Sequence, residues 1–240
     1  MNNKENPSHD LVINVYHFTF ADGSEKRFSV VLNAHSLDIV RKGKHIFPKW
    51  AKLDNDKCSI CPLDSATNDY CPLAVNMAEL IDFFKVFTSC EEVTVTVESQ
   101  ARDYTKKVAL QGGVSPLIGI YMVSGGCPIF AKLKPMVRFH LPFATIKETT
   151  YRVMSSYLLA QFFLAKHGKK PDWKMKNLSR IYDDIGKVNS SFCKRLRSAT
   201  IDDASLNAVV ILDVFANYVK FSIDNDQTDS IETFFKAYLE

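Results

Sequence analysis

Four of the six cysteines stand in settings suited to holding a metal ion. Cys58-Ser59-Ile60-Cys61 has the C-x2-C spacing by which one tight turn presents two thiolates to the same ion. Cys71 follows a polar loop, in Tyr70-Cys71-Pro72-Leu73, and Cys127 lies in Gly125-Gly126-Cys127-Pro128. A closed tetrahedral site takes four ligands, and Cys58, Cys61, Cys71 and Cys127 would complete one.

Cys61, Cys71 and Cys127 are each followed by proline. Proline has no N–H and a fixed φ, so it suits the first turn of a helix, and a cysteine just before it falls near the N-cap. There the helix dipole and the free amides favour the thiolate, which is the form that binds metal. Gly125 and Gly126 let the backbone approach closely. Cys90 and Cys193 lack this setting and are expected to be small buried or half-buried apolar residues.

Four thiolates suit zinc or an iron–sulfur cluster. Zinc is the commoner structural ion and leads. The cluster is the alternative, because a ligand cysteine before proline is an iron–sulfur habit and Ile60, Leu63, Leu73 and Ile129 would shield it. A thioredoxin-like role for the C-x2-C ranks lower, since Trp50–Lys57 before it is polar and basic rather than a strand. A third reading makes Cys127 a nucleophile activated at a helix N-terminus.

Other chemistry is thinner. His-Glu-x-x-His, the P-loop, the dinucleotide glycine motif and the nucleophile elbow are all missing from the sequence. His140, in Arg138-Phe139-His140-Leu141-Pro142, could serve as a substitute ligand or a base, and is expected to be hydrogen-bonded at the surface. His17 alternates with strand residues and reads as structural. Asp183-Asp184 reads as a solvated helix face and Asp202-Asp203 as a helix cap. Gly112-Gly113 and Gly125-Gly126 flank a helix. Two basic stretches carry a tryptophan each: Arg41–Lys52, with Arg41, Lys42, Lys44 and Trp50, and Lys166–Arg180, with Lys169, Lys170 and Trp173. If they shared a face they would suit nucleic acid, but solvated loops explain them as well. A protein partner is compatible with these features, and no motif specifies one.

These residues need elements to position them. Leu11–Phe20 reads as a strand, with Tyr16, Phe18 and Phe20 on one face, and Asp22-Gly23 turns it into Arg27–Leu32. Val93, Val95 and Val97 mark a third strand, partnered by Thr105–Leu110. Leu73–Phe87 is an amphipathic helix. Ser115-Pro116 reads as the start of another that ends at Gly125-Gly126, and Cys127-Pro128 as the start of a short third, limited by Pro135 and Pro142. Beyond Thr145 the pattern is helical: Thr149–Lys166, Lys174–Ser198, Asp203–Ser222 and Ser230–Leu239, the last opened by an Asp229/Glu232 capping pair. Gly168–Asp172 and Thr200–Asp202 break the series.

The expected fold class is α+β: a small antiparallel sheet of two hairpins, a helix packed on it, a Cys-rich corner, and a helical C-terminal unit. Residues 1–144 form the first part and 145–240 the second, and the two parts can pack as one domain. An N-terminal hairpin with an Asp-Gly turn, a Trp, and a Cys-x-x-Cys-Pro-Leu then Cys-Pro-x-Ala-Val-Asn segment opening a helix resembles an uncharacterised bacterial protein family. That resemblance covers at most the first ~145 residues and implies no activity and no site residue.

The composition frames this. With 240 residues, 46% of them hydrophobic, and a net charge of +3, the chain can build a real core without disulfides, and its balance does not suit a nucleic-acid-coating protein. The polar Met1–Asp10 segment has no signal-peptide apolar stretch, and Val153–Ala165 is too short to cross a bilayer, so it reads as a core helix. A cytoplasmic, metal-stabilised binding or scaffold protein, free of the membrane, is the leading expectation.

Overall fold

The computed structural model describes residues 10–41, 46–199, 203–225 and 227–240. Strand β1, Leu11–Phe20, turns at Asp22-Gly23 into β2, Glu25–Asn33. Asp22 Oδ1 accepts the Ser24 N–H at 2.8 Å, and Gly23 takes the positive φ of 82° that the turn requires. The second hairpin is β3, Glu92–Ser99, with β4, Asp103–Ala109. β1 pairs antiparallel with β3 as well as with β2, so the two hairpins make one four-stranded sheet of order β2-β1-β3-β4.

The fold is α+β, with the long helices in the C-terminal half. One face of the sheet is apolar by alternation. Tyr16, Phe18, Val93, Val95 and Val97 are buried on it. Helix α1, Pro72–Phe84, covers it with Leu73, Met77, Leu80, Ile81 and Phe84, and Phe84 meets Phe18 edge to face at 5.1 Å.

Helix α2, Leu110–Ser124, follows β4 without a loop. The sequence signals place its start at Ser115-Pro116, but Pro116 lies inside the helix. Packing explains the difference. A Cβ on Gly113 would stand 2.6 Å from Val95 Cγ2, so the glycine lets the first turn of α2 sit directly on the sheet. The stabilisation of that contact exceeds the local cost of Gly112, Gly113 and Pro116 inside a helix.

A 3-10 turn at Phe130–Leu133 leads into α3, Lys134–Arg138, with Pro135 in its first turn. Helix α4, Ile146–Lys166, opens with a full capping box between Thr145 and Glu148. It is not a core helix. Val153 is buried, but Leu159, Phe162 and Phe163 are each about half exposed. Helices α5, Lys176–Ser198, and α6, Asp203–Asp224, form the last long pair, and α6 lies against both α5 and α2. By length and composition α6 could span a bilayer, a test that core helices of soluble proteins also pass.

The C-terminal stretch is not one helix. It is a helical turn α7, Asp229–Glu232, a 3-10 turn Thr233–Phe235, and α8, Lys236–Leu239. Thr228, not Asp229, is the N-cap of α7, and no side chain caps it, so Asp229 and Glu232 do not form a capping pair. One apolar core runs through the molecule, from Tyr16 and Phe18 on the sheet to Val209 and Val219 on α6.

Candidate metal centre

The Cys-rich segment is folded back on itself by backbone bonds. Lys49–Ala51 forms a 3-10 turn with Ala51 buried. The Cys71 N–H donates to the Ala51 carbonyl at 2.9 Å, and the Leu53 N–H to the Asp69 carbonyl at 2.9 Å. These bonds close the loop at its base and set Cys71 beside the turn that leads to Cys58. Within the loop the Cys61 N–H donates to the Cys58 carbonyl at 3.0 Å, which makes the tight turn expected of C-x2-C.

Arg195 on α5 holds this base from below. It is 2% exposed, and it donates to the carbonyls of Trp50 at 2.7 Å, Lys52 at 2.5 Å and Leu53 at 3.2 Å. Three carbonyls take the place of a carboxylate around a buried cation. No sequence motif marks Arg195, because its partners lie more than 140 residues away in the chain.

Cys71 is the N-cap of α1 and Pro72 its first residue, as the Cys-Pro reading requires. The Gly125-Gly126-Cys127 segment is docked on this helix end. Asn76 Nδ2 donates to the carbonyls of Pro72 and Gly125, both at 2.9 Å. A Cβ on Gly125 would come within 2.5 Å of the Tyr121 carbonyl oxygen and within 3.3 Å of Asn76 Cβ, so both glycine positions are tight for a reason. Gly126 has φ 84° and its missing Cβ faces Pro72 at 3.3 Å.

The four sulfurs feel one another. The Cys58 thiol is pushed up by burial first, then by Cys71 and Cys61, while the Ser191 hydroxyl and the Arg195 guanidinium favour its thiolate. The Cys127 thiol is pushed up to about 11, chiefly by burial and further by Cys71 and Cys58. The Ile129 and Phe130 N–H groups aim at the Cys127 sulfur and act in the opposite direction. The quartet is thus an electrostatic neighbourhood of half-buried thiols. It is not a closed tetrahedron as placed: among the described residues, no group of three or more His, Cys, Asp or Glu side chains is arranged to hold a metal ion.

The donor chemistry nonetheless fits a soft or borderline cation. The neighbours are sulfur atoms, two N–H groups and one buried guanidinium compensate thiolate charge, and two of the sulfurs sit where Cys-Pro starts a helical turn. Burial raises the Cys127 pKa, a cost that a nucleophilic thiolate and a metal-bound thiolate would both have to offset.

The remaining sequence candidates lie elsewhere. His140 is half-buried and shares a 2.7 Å hydrogen bond through Nε2 with the buried Tyr16 hydroxyl, so it is an interior group and not a surface one. His17 Nε2 stands 3.2 Å from Glu98 Oε2 across the β1–β3 pair. Cys193 is buried as expected, whereas Cys90 is exposed, because it lies in the turn between α1 and β3. Asp183 and Asp184 both meet Lys187 on the outer face of α5. Asp202 and the side chain of Asp203 fall outside the described residues, as do Lys42 and Lys44. Arg41 stacks over the Phe47 ring at 5.4 Å, Trp50 packs on the core, and Trp173 is 53% exposed beside exposed Lys169 and Lys170.

One comparison with known proteins returns a match: the model of a family described as a domain of unknown function, DUF6901, covers residues 14–236. It extends well past the first ~145 residues and takes in the long C-terminal helices. No curated protein and no solved structure matches the chain.

Proposed function

The chain belongs to the DUF6901 family, and from that premise we propose that it is a metal-stabilised cytosolic binding or scaffold protein in which Cys58, Cys61, Cys71 and Cys127 hold one zinc ion. The observation that carries the reading is the docking of Gly125-Gly126-Cys127 onto the Cys71 end of α1, which brings sulfurs far apart in sequence into one neighbourhood. A structural zinc bound by four thiolates would fasten the Cys-rich loop, the start of α1 and the entry to α3 together. Such a site leaves no open coordination position, which favours a binding role over catalysis. All six cysteines are free, in keeping with a reducing compartment.

The test is metal analysis of the purified protein, together with the visible spectrum of aerobic and anaerobic preparations. One zinc per chain and a colourless protein support the reading. Brown, oxygen-sensitive protein with iron and sulfide replaces zinc by an iron–sulfur cluster at the same cysteines. Protein without stoichiometric metal refutes both.

A further inference from the structure

A second feature owes nothing to the cysteines. A cavity of about 320 Å³ lies between α2, the segment 130–144, α4, α5 and α6. Its walls are mainly aliphatic and aromatic, with Val123, Val137, Phe143 and Leu212 among them. A volume of this size is at the lower end of small-molecule sites.

Few polar groups line it, and their signs are one-sided. Arg152 and Lys106 reach the wall, and no aspartate or glutamate does. The guanidinium of Arg152 donates to the carbonyls of Met136, at 3.0 Å, and Phe139, at 2.5 Å, both through one nitrogen. Among the described residues it makes no salt bridge. Glu148 is the acid whose field reaches both Arg152 and Lys106, but its Oε2 is taken by the N–H and hydroxyl of Thr145 in the helix cap. His140 also lines the cavity, and burial keeps it neutral.

One further wall group lacks a partner. Asn189 is 1% exposed, and its Oδ1 is buried with no hydrogen bond. Such an acceptor calls for an N–H or O–H donor, so it takes no part in holding an anion. Phe143 adds backbone strain in the wall. It holds φ 60°, a left-handed conformation that a bulky residue adopts only when its surroundings impose it.

We infer that this cavity binds a small amphipathic carboxylate, its apolar tail among the wall side chains and its carboxylate on Arg152. An uncharged or cationic molecule of the same shape would leave the guanidinium without a counter-charge, and a cation would meet Arg152 and Lys106 repulsively. At about 30 Å³ per water-sized atom, the cavity holds about ten heavy atoms, the size of octanoate.

Calorimetric titration of the purified full chain with octanoate, 1-octanol and octylammonium at moderate salt tests this. Saturable one-to-one binding of octanoate, at least tenfold tighter than either analogue, is the expected result. Arg152→Gln should remove that preference and leave 1-octanol binding as it was. Because Arg152 also holds two carbonyls, Ala144→Phe provides a second check, filling the wall from a loop and abolishing octanoate binding without altering the circular dichroism of the fold. Octylammonium or 1-octanol binding as tightly as octanoate to the wild-type chain would overturn the inference, as would the lack of any saturable octanoate binding.

Discussion

Asn76 Nδ2 spans two carbonyls at 2.9 Å each, Pro72 in the first turn of its own helix and Gly125 at the C-terminal end of α2. This one amide fixes where Cys127 stands relative to Cys71. Asn76→Ala leaves the Gly125 carbonyl without its donor and should lower the unfolding free energy by about 1–2 kcal/mol. It should also weaken metal retention against a chelator, because the two halves of the thiol neighbourhood would no longer be held in register. Chemical denaturation and chelator titration of the variant measure the two effects separately.

Arg195 gives a second test. Replacing it with methionine keeps an unbranched apolar stem, but the shorter side chain leaves the carbonyls of Trp50, Lys52 and Leu53 without their donors. The expected loss is about 2–4 kcal/mol, since partly buried acceptors are orphaned together. Protease cleavage should appear first in the 49–71 loop, which the guanidinium ties to α5. Cleavage patterns unchanged from wild type would show that the loop is held by other means.

The close approach of α2 to the sheet makes Gly113→Ala informative. The added methyl would stand 2.6 Å from Val95 Cγ2 and 3.3 Å from Phe18 Cε1, in a region where neither neighbour has room to move. Overpacking of this kind costs about 1–3 kcal/mol, and the higher helix propensity of alanine offsets only about 1 kcal/mol of it. Thermal unfolding should show a lower midpoint for the variant. A higher midpoint would mean that the helix slides outward at little cost.

Much of this was legible in the sequence, and the limits are physical. The hairpins followed from alternation at Tyr16, Phe18 and Phe20 and at Val93, Val95 and Val97, together with Asp22-Gly23, because strand faces and turns are local signals. That the two hairpins make one sheet was expected, but which strands join them, β1 and β3, was not, because pairing between distant strands leaves no local mark. Gly113 and Pro116 read as breakers, and only the contact with Val95 shows why a helix runs through them. The Thr145/Glu148 capping box does carry a local sign, a threonine three residues before a glutamate. The cysteine spacing and the Cys-Pro pairs pointed to residues that the fold brings near one another, whereas Asn76 and Arg195, which position them, have no motif of their own. The cavity was invisible for a similar reason, since its wall is assembled from residues between Lys106 and Ala216.

His140 predicts a pH dependence of stability. Burial, and to a lesser degree Arg152, holds its pKa down to about 3, against the ordinary 6.5. Between those values the unfolded chain takes up a proton that the folded chain refuses, so folding is favoured as pH rises through this range. The contribution is fully present above pH 6.5 and is lost progressively as pH falls toward 3, by up to about 1.4 kcal/mol per pH unit and by about 2 kcal/mol at pH 5. Urea unfolding with a chelator present, at pH 7 and pH 5, should show this slope in the wild-type chain and a shallower one in His140→Gln. Equal slopes would place the acid sensitivity elsewhere.

Counting protected cysteines tests whether four particular thiols share one ion. The native protein is alkylated in a brief pulse before and after treatment with a strong chelator, and each cysteine is read by peptide mass spectrometry. Cys90, which is exposed, should react in both samples, and Cys193, which is buried, in neither. Cys58, Cys61, Cys71 and Cys127 should be protected together and become reactive together once the metal is removed. Reactivity of those four that is unchanged by the chelator, or protection of fewer than all four, would mean that they do not share one ion.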